Sequence, residues 1–382
     1  MLLLIAIPVL LIWLYLVFAR GGFWRVHPLT LAPAHQAVRR IAAIIPARNE
    51  ADAIALSLSS LLSQRFSGDL YIFVVDDNST DRTAQRAREA VPAHQEERLS
   101  VISGAPLPPG WSGKVWAMQQ GLSALLASGL APDYLLLTDA DIVHAPESLT
   151  QLISIAESGE YDLTSLMVRL HCKSFAERLL IPAFVYFFFL LYPPQQIADH
   201  GSASKTAGAA GGCILLRPDA LESAGGFASI RNEIIDDCSL ARRIKQSGGK
   251  LWLGIAPPTH SIRGYRTFHE VRDMIARTAF NQLCHSWLLL LGCLLGIALT
   301  FVAPLILLFF QPWEALLACI LMFLSYRPII RYYRLPFVWT FTVPIAALFY
   351  MYATLFSAVR YARGEGGEWK GRAQDRNTSL SP

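Results

Sequence analysis

The chain has 382 residues, of which 53% are hydrophobic and only 16% are charged. Soluble domains carry about a quarter of their residues as charged ones, so this composition excludes an ordinary soluble protein and indicates membrane segments. The net charge of +4 is too small to indicate a nucleic-acid partner. The six cysteines form no C-x-x-C pair, so we expect neither a zinc site nor a disulfide framework.

The first 19 residues predict an N-terminal transmembrane anchor. The stretch from Met1 to Phe18 is almost wholly apolar and just long enough to cross a bilayer. It lacks the basic start and the small-residue cleavage site of a signal peptide. Arg20, Arg25 and Arg39 follow, and such basic flanks favour the cytoplasmic side.

Short apolar runs then alternate with helical patterns. We predict strands at residues 41–45, 71–75, 99–102, 134–137, 162–169 and 251–255, and helices at 51–64, 81–90, 115–128 and 233–246. Residues 207–217 predict a run of small residues followed by a further strand. Ser79 or Thr80 is expected to cap the second of these helices. This alternation indicates βαβ units and a parallel sheet in an α/β fold. Three of the strands end in polar or acidic residues. We expect these side chains to lie together at one edge of the sheet.

The stretch from Tyr134 to His144, YLLLTDADIVH, is the most informative. Its apolar start predicts a strand buried on both faces. Asp139 and Asp141 follow, and two carboxylates at the end of a buried strand are costly without a partner. Their oxygen ligands suit Mg²⁺ or Mn²⁺. The alternative is a solvated acidic turn in which Asp141 caps the next helix.

The second half of the chain contains further apolar segments. Residues 179–192 are short for a membrane span and predict an interfacial or re-entrant helix, with a buried core helix as the alternative. Residues 269–285 predict an amphipathic interfacial helix, and residues 286–359 predict C-terminal transmembrane segments. The segment that starts at Trp313 is the weakest span, because it is short and carries Glu314. Residues 360–382 form a basic tail, which we expect in the cytosol.

Five motifs occur in a fixed order: IIPARNEA, VVDDNSTD, GWSGK, TDAD and EIIDDCSLARRIKQSG. This order resembles family 2 glycosyltransferases, which have the GT-A fold, the Rossmann-like fold of nucleotide-diphospho-sugar transferases. The anchor, the C-terminal spans and the ending WKGR at residues 369–372 resemble the membrane-bound, lipid-modifying members. Among them the chain is most similar to the hopene-associated glycosyltransferases of bacteria. The resemblance implies a cytosolic GT-A domain at residues 38–268 of a multi-pass protein in a bacterial inner membrane.

The resemblance assigns a nucleotide-sugar donor to the strand ends. The residues implied in donor binding are Pro46, Arg48, Asn49, Glu50, Asp76, Asp77, Lys114 and Asp139. It also implies that Asp139 and Asp141 hold Mg²⁺ or Mn²⁺ against the donor diphosphate, with Asp141 as the direct ligand. Turn and capping chemistry is the alternative for the first two motifs, and an ordinary surface lysine is the alternative for Lys114.

The acidic pair Asp236-Asp237 matches the catalytic motif of the family, where Glu-Asp is usual. The resemblance implies that Asp237 is the general base and that Asp236 assists it, whereas the alternative is helix N-terminal acidity. His260 is implied as a further metal ligand, and Arg263 and Arg266 are the candidates for a phosphate-binding arginine. All three could instead meet lipid phosphates at a membrane surface. His144 is expected to be a helix-start residue rather than a ligand.

The resemblance implies an inverting transfer of one sugar, from a UDP-sugar, to a membrane lipid acceptor such as a hopanoid. Processive synthases carry Q-x-x-R-W after the base, and the nearest stretch here, residues 272–278, has no Trp in the matching place. A membrane polysaccharide synthase of the same fold and a catalytically degenerate membrane scaffold are the two alternatives. A nucleotidyltransferase is disfavoured, because no Gly-rich loop follows the first strand.

Overall fold

The computed structural model describes residues 3–25, 38–201, 205–365, 368–370 and 372–373. It divides into two compact units. The helical unit comprises residues 1–27, 171–196 and 264–367, and the sheet unit comprises residues 28–170, 197–263 and 368–382. The predicted 38–268 domain is therefore interrupted, because residues 171–196 pack in the helical unit.

The α-helices follow one another along the chain as α1 (Leu3–Phe18), α2 (Ile54–Leu62), α3 (Thr83–Glu89), α4 (Gly113–Ala127), α5 (Ser148–Ser158), α6 (Phe175–Leu191), α7 (Pro194–Ala198), α8 (Pro218–Ser223), α9 (Asp236–Gln246), α10 (Phe268–Ala276), α11 (Ala279–Gln282), α12 (Trp287–Ile297), α13 (Ala303–Leu307), α14 (Pro312–Tyr332) and α15 (Val343–Ala362). A π-helical turn joins α12 to α13.

The sheet unit contains a mixed sheet of eight strands. They are β1 (Arg39–Ala47), β2 (Gly68–Asp76), β3 (Leu99–Ser103), β4 (Tyr134–Thr138), β5 (Ile142–Val143), β6 (Leu163–Arg169), β7 (Cys213–Leu216) and β8 (Leu251–Ser261). Their spatial order is β3-β2-β1-β4-β7-β6-β8-β5. The predicted parallel pairing is confirmed for β1 to β4, whereas β7 runs antiparallel to both β4 and β6.

The centre of the sheet is buried because helices cover both of its faces. Ile41 and Ile45 of β1 share one apolar cluster with Leu58 of α2 and Leu152 of α5. On the other face α4 approaches so closely that a Cβ at Gly121 would lie 2.6 Å from Ile44 Cγ2. This two-sided burial explains why β1 and β4 are continuous apolar runs.

Among the described residues, four helical segments are long and apolar enough to cross a membrane: Phe175–Ala198, Trp287–Leu307, Pro312–Tyr332 and Phe337–Ala362. The segment at Trp313 is therefore not the short one, because α14 extends over 21 residues. The shorter apolar helix is α1, where we predicted the anchor. The single amphipathic helix expected at 269–285 is instead two helices, α10 and α11.

The helix α6 is longer and more interior than the sequence indicated. It begins earlier because Ser174 and Glu177 form a reciprocal capping box. Within the helical unit the hydroxyls of Tyr186 and Ser325 lie 2.7 Å apart, and the Tyr350 hydroxyl donates to the Leu180 carbonyl over 3.1 Å. These buried contacts favour the core-helix alternative over an interfacial segment.

Candidate active site

The strand ends of the sheet unit bring three of the five motifs together. Ala47 of β1 pairs with Asp76 of β2, and Ile44 of β1 pairs with Leu137 of β4. Because these strands are parallel, the residues that follow them lie at the same edge of the sheet. The expectation that their chemistry shares one edge is confirmed.

The loops after β1 and β2 are hydrogen-bonded to each other. The side-chain oxygen of Asn49 accepts from the Thr80 N–H over 2.8 Å, and the Asn49 N–H donates to Ser79 Oγ over 3.0 Å. The Glu50 N–H donates to Thr83 Oγ1 over 2.8 Å. Asn49 has a φ of 52°, a conformation that Asn tolerates better than most residues. The prediction of a Ser79 or Thr80 helix cap was wrong, because α3 begins at Thr83 and both side chains brace the loops instead.

Asp77 and Arg48 form the inner part of this loop pair. The side chain of Asp77 is fully buried, and Arg48 Nη1 lies 3.9 Å from its Oδ2 atom. The same Nη1 donates to the carbonyls of Asp77 and Asn78 over 2.5 and 3.1 Å. Asp76 instead accepts hydrogen bonds from the backbone N–H and hydroxyl of Ser79. The two aspartates therefore have different surroundings. The side chain of Asp77 is buried beside Arg48, whereas that of Asp76 stabilises the turn that follows it.

Lys114 connects two further motifs. Its Nζ atom lies 3.0 Å from Asp139 Oδ1 and 3.1 Å from Asp236 Oδ2. Burial alone would lower the pKa of Lys114, but the carboxylates of Asp139, Asp236 and Asp237 outweigh it and raise the pKa above its usual value. These four side chains line one pocket together with Pro46. Lys114 is thus a permanently charged group inside a cleft and not a surface lysine.

Asp237 is held in a fixed orientation in the same pocket. Its Oδ2 atom accepts the Gly211 N–H over 2.7 Å, and its Oδ1 atom accepts the Cys238 N–H over 2.7 Å. Burial and the neighbouring charge of Asp236 raise the pKa of Asp237 to about 6, against the opposing effect of Lys114. A carboxylate with this pKa is ionised at neutral pH and basic enough for a general base.

A second charged cluster lies around Asp141 and Glu50. Asp141 Oδ2 accepts from Arg263 Nε over 2.8 Å and from Ser261 Oγ over 3.1 Å. The other end of the same guanidinium, Nη2, donates to Glu50 Oε1, and Lys370 Nζ donates to that oxygen as well. Burial raises the pKa of Glu50, while Arg263 and Lys370 oppose the rise. We call Glu50, Asp141, Arg263 and Lys370 the charge quartet.

The two histidines singled out in the sequence lie outside this arrangement. His260 is exposed, and it precedes Ser261 on β8, so strand alternation directs it to the opposite face from the Asp141 contact. Its assignment as a metal ligand stays a prediction that this geometry does not favour. His144 is buried, its Nε2 atom lies 3.0 Å from Thr138 Oγ1, and burial lowers its pKa to about 4. These features indicate a structural role.

The carboxylates at the end of β4 suit a metal ion that is coordinated partly by the protein and partly by a bound substrate. Among the described residues no group of three His, Cys, Asp or Glu side chains could hold a metal ion. Mg²⁺ in proteins is commonly bound by one or two carboxylates together with substrate phosphates. Asp139 and Asp141 fit that requirement, and Asp141 is already placed against a cation, the Arg263 guanidinium.

Residues 42–225 match the family model described as Glycosyl transferase family 2. The chain contains a family 2 glycosyltransferase domain. The matched residues hold Arg48, Asp77, Lys114, Asp139 and Asp141, which the fold gathers at one edge of its sheet. This glycosyltransferase has the GT-A fold, as the five motifs predicted. No curated protein matches its sequence.

Solved structures with a similar fold include other glycosyltransferases. A mannosyltransferase of Pyrobaculum calidifontis, solved with GDP-Man and Mn²⁺, is 19% identical with a TM-score of 0.57, over 94% of this chain and 99% of that one. The mannosyl-3-phosphoglycerate synthase of Rubrobacter xylanophilus is 17% identical with a TM-score of 0.35, over 63% and 74% of the two chains. The first of these likenesses covers nearly the whole of both chains and supports the GT-A fold.

The structure adds residues to the site that the motifs did not identify. Ser261 and Gly211 contact the two key aspartates, and Lys370 reaches the first loop from the C-terminal end of the chain. Only Lys370 carried a sequence signal, since it lies in the WKGR ending. Arg263, one of the two arginines considered for phosphate binding, lies against Asp141 and Glu50.

Proposed function

We propose that this glycosyltransferase moves one sugar from a nucleotide-diphosphate sugar to a hydroxyl group of a membrane lipid, with inversion at the anomeric carbon. The observation that carries the proposal is the orientation of Asp237. Two backbone N–H groups hold its carboxylate in a pocket that it shares with Lys114 and Asp139. The pocket thus contains a base and a cation for phosphate side by side.

Asp237 acts as the general base in this proposal. Its raised pKa, about 6, lets it take the proton of the acceptor hydroxyl as that oxygen attacks the anomeric carbon. The bond to the nucleotide diphosphate breaks as the new glycosidic bond forms on the opposite face. One such displacement inverts the configuration. Asp236 sits beside Lys114 and keeps the cation directed into the pocket.

The donor binds at the loops after β1 and β2. A buried carboxylate such as Asp77 accepts hydrogen bonds from the N–H of a nucleobase or from ribose hydroxyls. Lys114 provides a point charge for the diphosphate. The sequence resemblance favours UDP, whereas the Pyrobaculum enzyme of similar fold was solved with GDP-Man, so both nucleotides belong in the test.

Asp139 and Asp141 would hold the Mg²⁺ or Mn²⁺ of the reaction, with Asp141 as the stronger ligand. A metal held by these two carboxylates would neutralise charge on the departing nucleoside diphosphate. Mn²⁺ is present in the structure of the Pyrobaculum enzyme, which supports a divalent metal for this fold.

The apolar segments of the helical unit support the proposal of a lipid acceptor. The part of the chain that the structure describes has four helical segments long and apolar enough to cross a membrane, and such segments would keep the transferase domain near lipid. A lipid hydroxyl is therefore the acceptor that the enzyme meets at highest local concentration. The sequence resemblance narrows this proposal to a hopanoid or related lipid, at the cytosolic face of a bacterial inner membrane.

The experiment is a lipid-dependent release assay. The purified protein receives Mn²⁺, a panel of UDP- and GDP-sugars and a bacterial lipid extract, and the release of UDP or GDP is measured. We expect release with one donor that rises when lipid is added. Release from no donor, together with no metal-dependent nucleotide binding, would leave the degenerate scaffold as the better account.

A further inference from the structure

We propose that Arg263 and Lys370 are resident counter-cations, which neutralise Glu50 and Asp141 in the donor-free enzyme and make metal binding depend on the nucleotide. The inference rests on the proposed function, because it assigns the order of events at the same donor site. It concerns residues of this chain and can be measured without turnover.

The cations of the charge quartet are paired directly with its carboxylates. Arg263 bridges the two carboxylates, since its Nε atom donates to Asp141 and its Nη2 atom donates to Glu50. Lys370 Nζ contacts the same Glu50 oxygen that accepts from Arg263. Asp141 is only 7% exposed. The carboxylate proposed as the metal ligand is therefore little exposed and already paired with a cation.

The positive and negative charges of the charge quartet balance. Glu50 and Asp141 contribute two negative charges, and Arg263 and Lys370 contribute two positive ones. A divalent cation that enters this group alone meets two cations at close range, where repulsion is poorly screened. It also competes with Arg263 and Ser261 for Asp141 Oδ2. We therefore expect weak binding of the metal by itself.

A bound nucleotide would offer Arg263 and Lys370 new partners. A diphosphate brings negative charge and acceptor oxygens, and guanidinium and ammonium groups both bind phosphate well. Arg263 and Lys370 can then exchange a carboxylate for a phosphate, which leaves Asp141 available to the metal. Metal and nucleotide thus strengthen each other's binding, and such coupling is reciprocal.

Lys370 lies against the loop that follows β1. It lies at the turn between β9 (Glu368–Trp369) and β10 (Arg372–Ala373), which pair as a short antiparallel ladder. Its carbonyl accepts from Arg48 Nε over 3.1 Å, and its Nζ atom lies 3.2 Å from the Asn49 carbonyl. The turn that carries Lys370 is therefore attached to the loop that we assign to the nucleotide, where Lys370 can contact either Glu50 or a phosphate.

The experiment measures Mn²⁺ binding by the full-length protein, using the paramagnetic resonance signal of free Mn²⁺, first alone and then with UDP or GDP. We expect weak binding to the unaltered protein, strengthened at least about tenfold by one of the nucleotides. Arg263→Gln should bind Mn²⁺ alone about tenfold more tightly and lose most of the nucleotide effect. Arg263→Lys, which keeps the charge, should resemble the unaltered protein.

Lys370→Met is the second variant, and it leaves Arg263 intact if the first variant does not fold. We expect tighter binding of Mn²⁺ alone and weaker binding of the nucleotide. Lys250→Met is its matched control, because Lys250 forms an exposed ion pair with Glu160. Equal Mn²⁺ affinity of Lys370→Met, Arg263→Gln and the unaltered protein would overturn the inference, as would the absence of any nucleotide effect. A failure of sugar transfer with the coupling intact would instead count against the proposed reaction alone.

Discussion

The Gly211 N–H donates a hydrogen bond to Asp237 Oδ2 over 2.7 Å. A Cβ at position 211 would lie 3.1 Å from that oxygen and 3.3 Å from Lys114 Nζ. The backbone of one segment therefore fixes the proposed base and also forms the wall of the pocket that Lys114 shares. The orientation of Asp237 depends on the absence of a side chain at this position.

Replacing the proposed base should abolish transfer and preserve binding. Asp237→Asn keeps the shape of the side chain, but an NH2 group replaces one carboxylate oxygen and the side chain cannot take a proton, so we expect kcat to fall by about 10²–10⁴-fold. Nucleotide affinity, measured by calorimetry with Mn²⁺ present, should change little. Asp219→Asn, at an exposed position on α8, is the control. Near-normal turnover of Asp237→Asn would show that the base is another group.

The rate should fall on the acid side of pH 6. Asp237 must be ionised to accept a proton, and burial together with the charge of Asp236 raises its pKa to about 6. The pH profile of kcat/KM, which reports the free enzyme, should therefore be flat near neutrality and decline tenfold per pH unit below about 6. A flat profile down to pH 4.5 would contradict the assignment.

Lys114 should affect both donor binding and the base. Lys114→Met removes the cation proposed to meet the diphosphate, and we expect kcat/KM to drop on the order of 10²-fold. Lys114 also holds the pKa of Asp237 down, so the acid limb of the profile should move to higher pH in the variant. Lys250→Met should change neither quantity. An unmoved acid limb would show that the two groups are not coupled.

A methyl group at position 211 should disturb the catalytic carboxylate. In Gly211→Ala the new Cβ stands closer to Asp237 and Lys114 than ordinary packing permits, so both side chains must shift by a few tenths of an ångström. We expect kcat to fall by about tenfold or more, since small misplacements of catalytic groups are costly. Gly292→Ala, where a Cβ meets nothing within 4 Å, is the matched control. Equal kcat for both variants would argue against a precise orientation of Asp237.

His144 should make the protein sensitive to acid. Its folded pKa, about 4, lies below the usual 6.5, so the unfolded chain binds more protons between these values. Stability is therefore present above pH 6.5 and is lost as the pH falls towards 4, by roughly 2–4 kcal/mol. His144→Gln should reduce the decline of the thermal midpoint over this range, whereas His94→Gln, at an exposed position, should not. An unchanged slope in His144→Gln would refute this role.

The sequence predicted the part of the site that local pattern controls. Arg48, Asp77 and Asp139 each follow a buried apolar strand, and parallel strands bring such ends together. Lys114 and Asp237 begin helices whose starts face the same edge, and the family motifs marked both. The positions of these residues could be expected, because each position is set by the end of one strand or the start of one helix.

The other part of the site depends on contacts that no local pattern encodes. Ser261 and Arg263 reach Asp141 because β5 and β8 pair antiparallel, with Ile142 opposite Ser261. That register joins segments about 120 residues apart in the chain. Lys370 lies 320 residues from Glu50 along the chain, so the WKGR ending that contains it gave no sign of its contact with the first loop. The antiparallel run of β7 was missed because a buried strand has the same apolar composition in either direction.

The mass of the lipid product tests the central claim most directly. The purified protein, with Mn²⁺ and the donor identified by nucleotide release, is incubated with bacterial lipid extract, and the lipids are analysed by mass spectrometry. We predict one new lipid, heavier than its precursor by a single sugar residue, which is absent with Asp237→Asn. A ladder of products that differ by successive sugars would contradict single transfer and establish a polymer synthase. A sugar product without lipid attached would contradict the lipid acceptor.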